Sequence, residues 1–98
     1  MALNPVEELI KNGAVVVDVR TEEEFEEEHY PNAKCIPVNE IMQRANEIGP
    51  KDKPVVLYCA SGARSAYAAR ILKSLGFSKV INAGGLYDMP EPLEIDEA

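Results

Sequence analysis

Residues 59 to 65 read C-A-S-G-A-R-S, and they join an apolar run, PVVLYC, to a helical pattern that ends near Gly76. A thiol, a glycine and an arginine at such a junction can make a reactive sulfur. If residues 60 to 65 curl around the Cys59 sulfur, the N–H groups of Ala60, Ser61, Gly62, Ala63, Arg64 and Ser65 converge on it as an anion nest. The helix that follows adds its positive N-terminal end at the same point. Gly62 permits the positive φ that a tight concave loop often requires, while Ala60, Ser61 and Ala63 keep its walls small. Arg64 supplies a permanent cation with a planar fork of donors. Each feature favours thiolate over thiol, so Cys59 is expected to have a lowered pKa and to act as a nucleophile. The same cradle would stabilise a covalent intermediate with negative charge on sulfur, such as a persulfide. A cysteine that merely fills space at a strand end explains the thiol, but not the glycine, arginine and helix start around it.

The other polar candidates read differently. Cys35 lies in the short apolar stretch KCIPV, which reads as core packing, and nothing in the sequence supports a Cys35–Cys59 disulfide. Two cysteines, no C-x-x-C and one histidine fall short of the ligands a structural zinc site wants, so no metal is expected. Asp18, Arg20 and His29 are assigned to structural support. Asp18 ends a strand, where it could cap the next turn or pair with Arg20. His29 follows a helix, whose C-terminal dipole suits its charge. Neither Asp18 nor His29 has the sequence partners of a Ser/His/Asp or Cys/His constellation, and a thiol activated by its own loop needs no general base.

Positioning Cys59 falls to a series of alternating strands and helices. Asn4, Pro5 and Glu7 are placed as N-cap, first and third residues of a short helix that Asn12-Gly13 stops. AVVVDV is a β-branched run with no polar alternation before Asp18, as in a strand covered on both faces. Thr21 and Glu24 form a capping box for a helix through about Glu28. KCIPV is a short strand, and Asn39 is placed to cap a helix EIMQRANEI that Gly49-Pro50 ends. PVVLYC is the second fully apolar strand, KVINA is the last strand, and GGLYDMPEP ends the regular structure. This alternation predicts an α/β domain with a mostly parallel central sheet. In such sheets ligands bind beyond the carboxyl ends of the strands, which is where Cys59 lies.

Composition bounds the partners. Ninety-eight residues, 46% hydrophobic and 28% charged, fit one globular domain. The net charge of −7 argues against nucleic acid or anionic lipid as the main partner, since phosphate binding needs clustered cations. The acidic runs TEEEFEEEHY and EPLEIDEA read as a solvated helix face and a frayed terminus. Arg64, Arg70 and Lys73 still leave room for a local positive site. No apolar run approaches the ~20 residues that span a bilayer, and the N-terminus lacks the pattern of a signal peptide. A cytoplasmic monomer is expected.

Three segments in order carry a family resemblance: VVVDVRTEEEFEEEHYPNAKCIPV, VVLYCASGARSAYAARILKSLGF and KVINAGGLYDM. From about Pro5 to Met89 the chain resembles the single-domain rhodaneses, which are thiosulfate-type sulfurtransferases. The resemblance implies a three-layer α/β domain over 1–98, with its core at about 5–89 and a mobile acidic tail at 90–98. It also implies a ping-pong reaction without a cofactor. Cys59 would take sulfur from a donor such as thiosulfate, hold it as a persulfide, and pass it to cyanide, a thiol or a protein cysteine. Residues 60 to 65 would supply amide donors, and Arg64 would orient or neutralise the anionic donor. A persulfide carrier or protein-interaction module with weak thiosulfate turnover is the first alternative, and a small Cys-dependent phosphatase or arsenate reductase is a lesser one. Relatives that act on phosphate or arsenate have a C-x5-R loop, whereas C-x4-R here suits a single sulfur atom. The chain departs from the family pattern at Glu28, Tyr30, Asn32 and Met89.

Overall fold

In the computed structural model, which describes residues 4–92, four parallel strands carry helices on both faces. The strands are β1 (Val15–Asp18), β2 (Lys34–Cys35), β3 (Val55–Cys59) and β4 (Val80–Gly85), side by side in the order β2-β1-β3-β4. The main helices are α1 (Pro5–Lys11), α2 (Glu22–Glu27), α3 (Ile41–Arg44) and α4 (Ala63–Ser74). All of β3 is buried, which is why its sequence shows no polar alternation.

Side chains along β3 point alternately to the two faces and so divide the core. Val55, Leu57 and Cys59 join Ile41, Ala68, Leu72 and Phe77 beneath α3 and α4. Val56 and Tyr58 join Val16 and Tyr30 on the other face, where Val6, Leu9 and Ile10 of α1 close the layer. Strand periodicity therefore delivers the Cys59 thiol to the α4 side of the sheet. The capping boxes of α1 (Asn4 with Glu7) and α2 (Thr21 with Glu24) form as their spacing predicts.

Three elements differ from the sequence-based expectation. The helix expected over EIMQRANEI is broken: α3 is flanked by 3₁₀ turns at Val38–Glu40 and Ala45–Glu47. Asn39 provides no cap, because the turn starts directly after Pro37 and places Asn39 inside it. Tightening the ends in this way keeps Ile41, Ala45 and Ile48 together in the core. The KCIPV strand contributes only Lys34 and Cys35 to the sheet. The third difference bears on the site: Gly84 and Gly85 belong to β4 and do not open the closing loop. Residues 93–98 of the expected acidic tail lie outside the described residues. Among the described residues, no helix is long and apolar enough to cross a membrane.

A buried polar network fastens the end of β1. The Arg20 Nε and Nη2 donate to the Asp18 carboxylate at 2.7–3.1 Å, and Nη2 also donates to the carbonyl of Glu28 at 2.6 Å. The guanidinium lies 5.7 Å from the centre of the Tyr58 ring, and the Tyr58 hydroxyl accepts the Tyr30 N–H at 2.9 Å. Asp18 fills both roles open to it: it pairs with Arg20, and its Oδ1 caps the turn by accepting the Arg20 N–H at 2.9 Å. Asp18→Ala would strand the buried Arg20 cation and should destabilise the domain by about 3–5 kcal/mol in urea unfolding at neutral pH. The apolar pair Asp18→Leu with Arg20→Met should cost less than that single change, because no buried charge is left behind.

Candidate active site

Cys59 is the last residue of β3 and is 1% exposed. The chain then turns through Ala60 and Ser61 to Gly62, whose φ of 101° lies in the left-handed region that favours glycine. Gly62 is also the N-cap of α4, and it has no side chain with which to cap the helix. The first-turn N–H groups of a helix need an acceptor from elsewhere. The Cys59 sulfur supplies it, accepting the Gly62 N–H at 3.0 Å and the Ser65 N–H at 3.3 Å. The candidate nucleophile therefore stands where a capping side chain would.

This geometry sets the thiol's acidity. Burial pushes the Cys59 pKa up, but hydrogen bonds from the Ser65 hydroxyl and from the amides of Ser65, Ser61 and Gly62 outweigh it. The result lies below the ordinary thiol value. The Ser65 Oγ is 3.4 Å from the sulfur, 2.6 Å from Asn82 Oδ1, 3.2 Å from the Gly62 carbonyl and 3.5 Å from that of Gly84, so four acceptors compete for its single proton. Asn82 is itself held on two sides. Its Oδ1 accepts the Gly84 N–H at 2.9 Å, and its Nδ2 donates to the Gly62 carbonyl at 3.1 Å.

The end of β4 closes the other wall. Register along the β3–β4 pair runs Leu57 to Asn82 and then Cys59 to Gly85, so β4 carries one extra residue beside the Cys59 thiol. A Cβ at Gly85 would lie 3.0 Å from the Ala60 carbonyl carbon and overlap its oxygen. A Cβ at Gly62 would lie 3.3 Å from the Gly84 Cα. The loop and the strand thus meet backbone to backbone.

Of the loop residues singled out from sequence, Gly62 and Ser65 reach the sulfur directly by backbone N–H, and Ser61 adds its amide to the thiolate's stabilisation. Ala60 and Ala63 are exposed and shape the loop: Ala60 abuts Gly85, and Ala63 opens α4. Arg64 is turned onto a partner that the sequence did not suggest. Its Nη1 and Nη2 donate to the two oxygens of Glu24 at 2.9 and 3.2 Å. Arg64 first, and then the Thr21 N–H, hold the Glu24 carboxyl at about 2. Glu24 was legible as a helix-cap residue, and nothing local to it announces the ion pair. Asn82 left a fainter signal, since asparagine is depleted in strands.

The remaining candidates stand apart from the sulfur's hydrogen-bond set. Asp18 and Arg20 form the buried pair at the end of β1. His29 is exposed, stacks on Phe25 with ring centres 3.7 Å apart, and places Nδ1 2.8 Å from the Phe25 carbonyl. Cys35 is half-buried with its sulfur 3.9 Å from the Arg20 carbonyl, and burial first, then Asp18, pushes its thiol up. Both cysteines are free thiols. Among the described residues, no group of three or more His, Cys, Asp or Glu side chains is placed to hold a metal.

The two thiols should therefore separate on titration. Iodoacetamide labelling followed by peptide mass analysis should give Cys59 a pH midpoint below that of an ordinary thiol and Cys35 a midpoint above it. At neutral pH the thiolate fraction is thus larger at Cys59. Gly85→Ala should displace the Ala60 carbonyl, loosen the ring of donors and move the Cys59 midpoint upward in the same assay.

Comparison with known proteins places this geometry in context. A family model for the rhodanese-like domain matches residues 3–88. The chain is 39% identical over 77 residues to the thiosulfate sulfurtransferase PspE of Escherichia coli, covering 78% of this chain and 74% of PspE. It is 46% identical over 67 residues to the "Putative sulfur carrier protein YrkF" of Bacillus subtilis. That match covers 68% of this chain but only 36% of YrkF, so the chain spans about a third of that relative. Among solved structures, a rhodanese with anions from E. coli superposes with a TM-score of 0.74 at 38% identity, covering 80% of this chain and 95% of the other.

Proposed function

We propose that this chain, which belongs to the family of rhodanese-like domains, moves sulfane sulfur through a persulfide on Cys59. The carrying observation is the sulfur's place at the uncapped start of α4, with two backbone N–H groups within 3.3 Å of it. Those donors favour a negative sulfur before reaction and the negative outer sulfur after it.

The first half-reaction with thiosulfate balances simply. The Cys59 thiolate attacks the outer sulfur, the S–S bond of thiosulfate breaks, and its electron pair leaves with sulfite. The enzyme retains Cys59–S–S⁻, and no proton or external oxidant is needed. In the second half-reaction an acceptor nucleophile attacks the outer sulfur of that persulfide. Cyanide leaves as thiocyanate and a thiolate leaves as a persulfide, and either restores the Cys59 thiolate. The similarity to PspE supports thiosulfate as a donor, and the similarity to YrkF supports a carrier role in which donor and acceptor are both proteins. Both readings pass through the same sulfur.

Incubation with thiosulfate should add the mass of one sulfur atom to the intact protein, and cyanide should remove it. Cys59→Ser should neither load nor release sulfur, whereas Cys35→Ser should load as the wild type does. Loading that persists in Cys59→Ser would overturn the assignment.

A further inference from the structure

Arg64 is the guanidinium of the active-site loop, and its fork is already filled. Glu24 accepts both Arg64 donors, and the two side chains remain about a third exposed, at 36% and 34%. The carboxylate is tethered as well as paired: Glu24 Oε1 also accepts the Thr21 N–H at 2.9 Å and the Thr21 hydroxyl at 3.2 Å. The cap of α2 therefore holds a fixed negative charge against Arg64. Arg20, the other nearby guanidinium, is committed to Asp18. The remaining charges of α2 are Glu22, Glu23, Glu26 and Glu27, all of one sign.

Sulfur donors differ in the charge they would bring to this ion pair. Thiosulfate brings two negative charges, while a persulfide brings one as R–S–S⁻ or none as R–S–SH. We propose that Glu24 is a specificity-determining residue, a tethered carboxylate that occupies the cation a dianionic donor would use and so favours persulfide donors over thiosulfate. The inference rests on the sulfur-transfer reading above and deepens it. With a persulfide donor the Cys59 thiolate attacks the outer sulfur, the donor S–S bond breaks and R–S⁻ departs. Cys59–S–SH or Cys59–S–S⁻ remains, according to the donor's protonation. The bonds made and broken match the thiosulfate reaction; only the charge delivered to Arg64 differs.

Glu24→Gln is the sharp test. Glutamine can keep the helix cap, because its one carbonyl oxygen serves Thr21 and one Arg64 donor, while its NH₂ group cannot accept the other and the negative charge is gone. Two ratios are measured on the full chain. The first is the rate of Cys59 alkylation by iodoacetate over that by neutral iodoacetamide. Both reagents meet the same thiolate, so any change in its pKa cancels. The second is the rate of sulfur loading from thiosulfate over that from the persulfide of 2-mercaptoethanol. Glu24→Gln should raise both ratios about two- to fivefold, the range expected for one partly exposed charge. Arg64→Gln should move the alkylation ratio the other way, below wild type, by leaving Glu24 unpaired. An alkylation ratio unchanged in both variants overturns the proposal. A shifted alkylation ratio with no sulfur loaded from either donor overturns the sulfur-transfer reading, and the donor preference falls with it.

Discussion

A helix that starts without a capping side chain must find an acceptor for its first N–H groups, and in this chain the acceptor is the thiol proposed as the nucleophile. Gly62 provides the left-handed turn but no oxygen, so α4 is capped by the Cys59 sulfur at the end of the preceding strand. One set of hydrogen bonds thereby completes the helix and favours thiolate over thiol. Much of the architecture follows from bringing those two ends together. The parallel β3 must finish beneath the start of α4, and its two-residue period must turn Cys59 toward that helix. The extra residue in β4 then presents a glycine where a side chain would strike the loop.

Around this contact the polar side chains fall into two groups. On one side, Asn82 ties Ser65, Gly62 and Gly84 together, so the loop and the last strand share one amide group. On the other, Asp18 and Arg20 lock the end of β1, and the Glu28 carbonyl draws the exit of α2 onto the same guanidinium. The second group places α2, and α2 in turn carries Glu24 to Arg64. A capping box, a buried ion pair and a surface ion pair thus form a chain of constraints running from β1 to the active-site loop.

Much of this was legible because it is local. The β-branched runs marked β1 and β3, an N-cap followed by proline marked α1, a capping box marked α2, and C-A-S-G-A-R-S marked a strand–loop–helix junction with a thiol in it. The partnerships that complete the site are not local. Ser65 and Asn82 are 17 residues apart, and Arg64 and Glu24 are 40 apart. No spacing rule reaches across such distances; topology brings them together. Gly84-Gly85 misled for a related reason. Glycine pairs usually mark turns, whereas here they are strand residues thinned to let another backbone pass. EIMQRANEI reads as one helix, yet the approach from Pro37 and the need to bury Ile41, Ala45 and Ile48 leave α3 as a short segment between two 3₁₀ turns.

The extra residue in β4 also makes the site sensitive to counting. Asn82 lies beside Leu57 and so shares the α4 side of the sheet, while Ala83 packs on the opposite core. The added step then brings glycine, with its bare backbone, beside Cys59. Removing one residue between Asn82 and Gly85 would shift everything downstream by a position and put Leu86 where the loop requires glycine. A side-chain replacement in this segment alters only that residue's own contacts, but a deletion exchanges the roles of all of them. The last strand acts as a ruler, and its length between two pairing points decides which residue meets the loop around the sulfur.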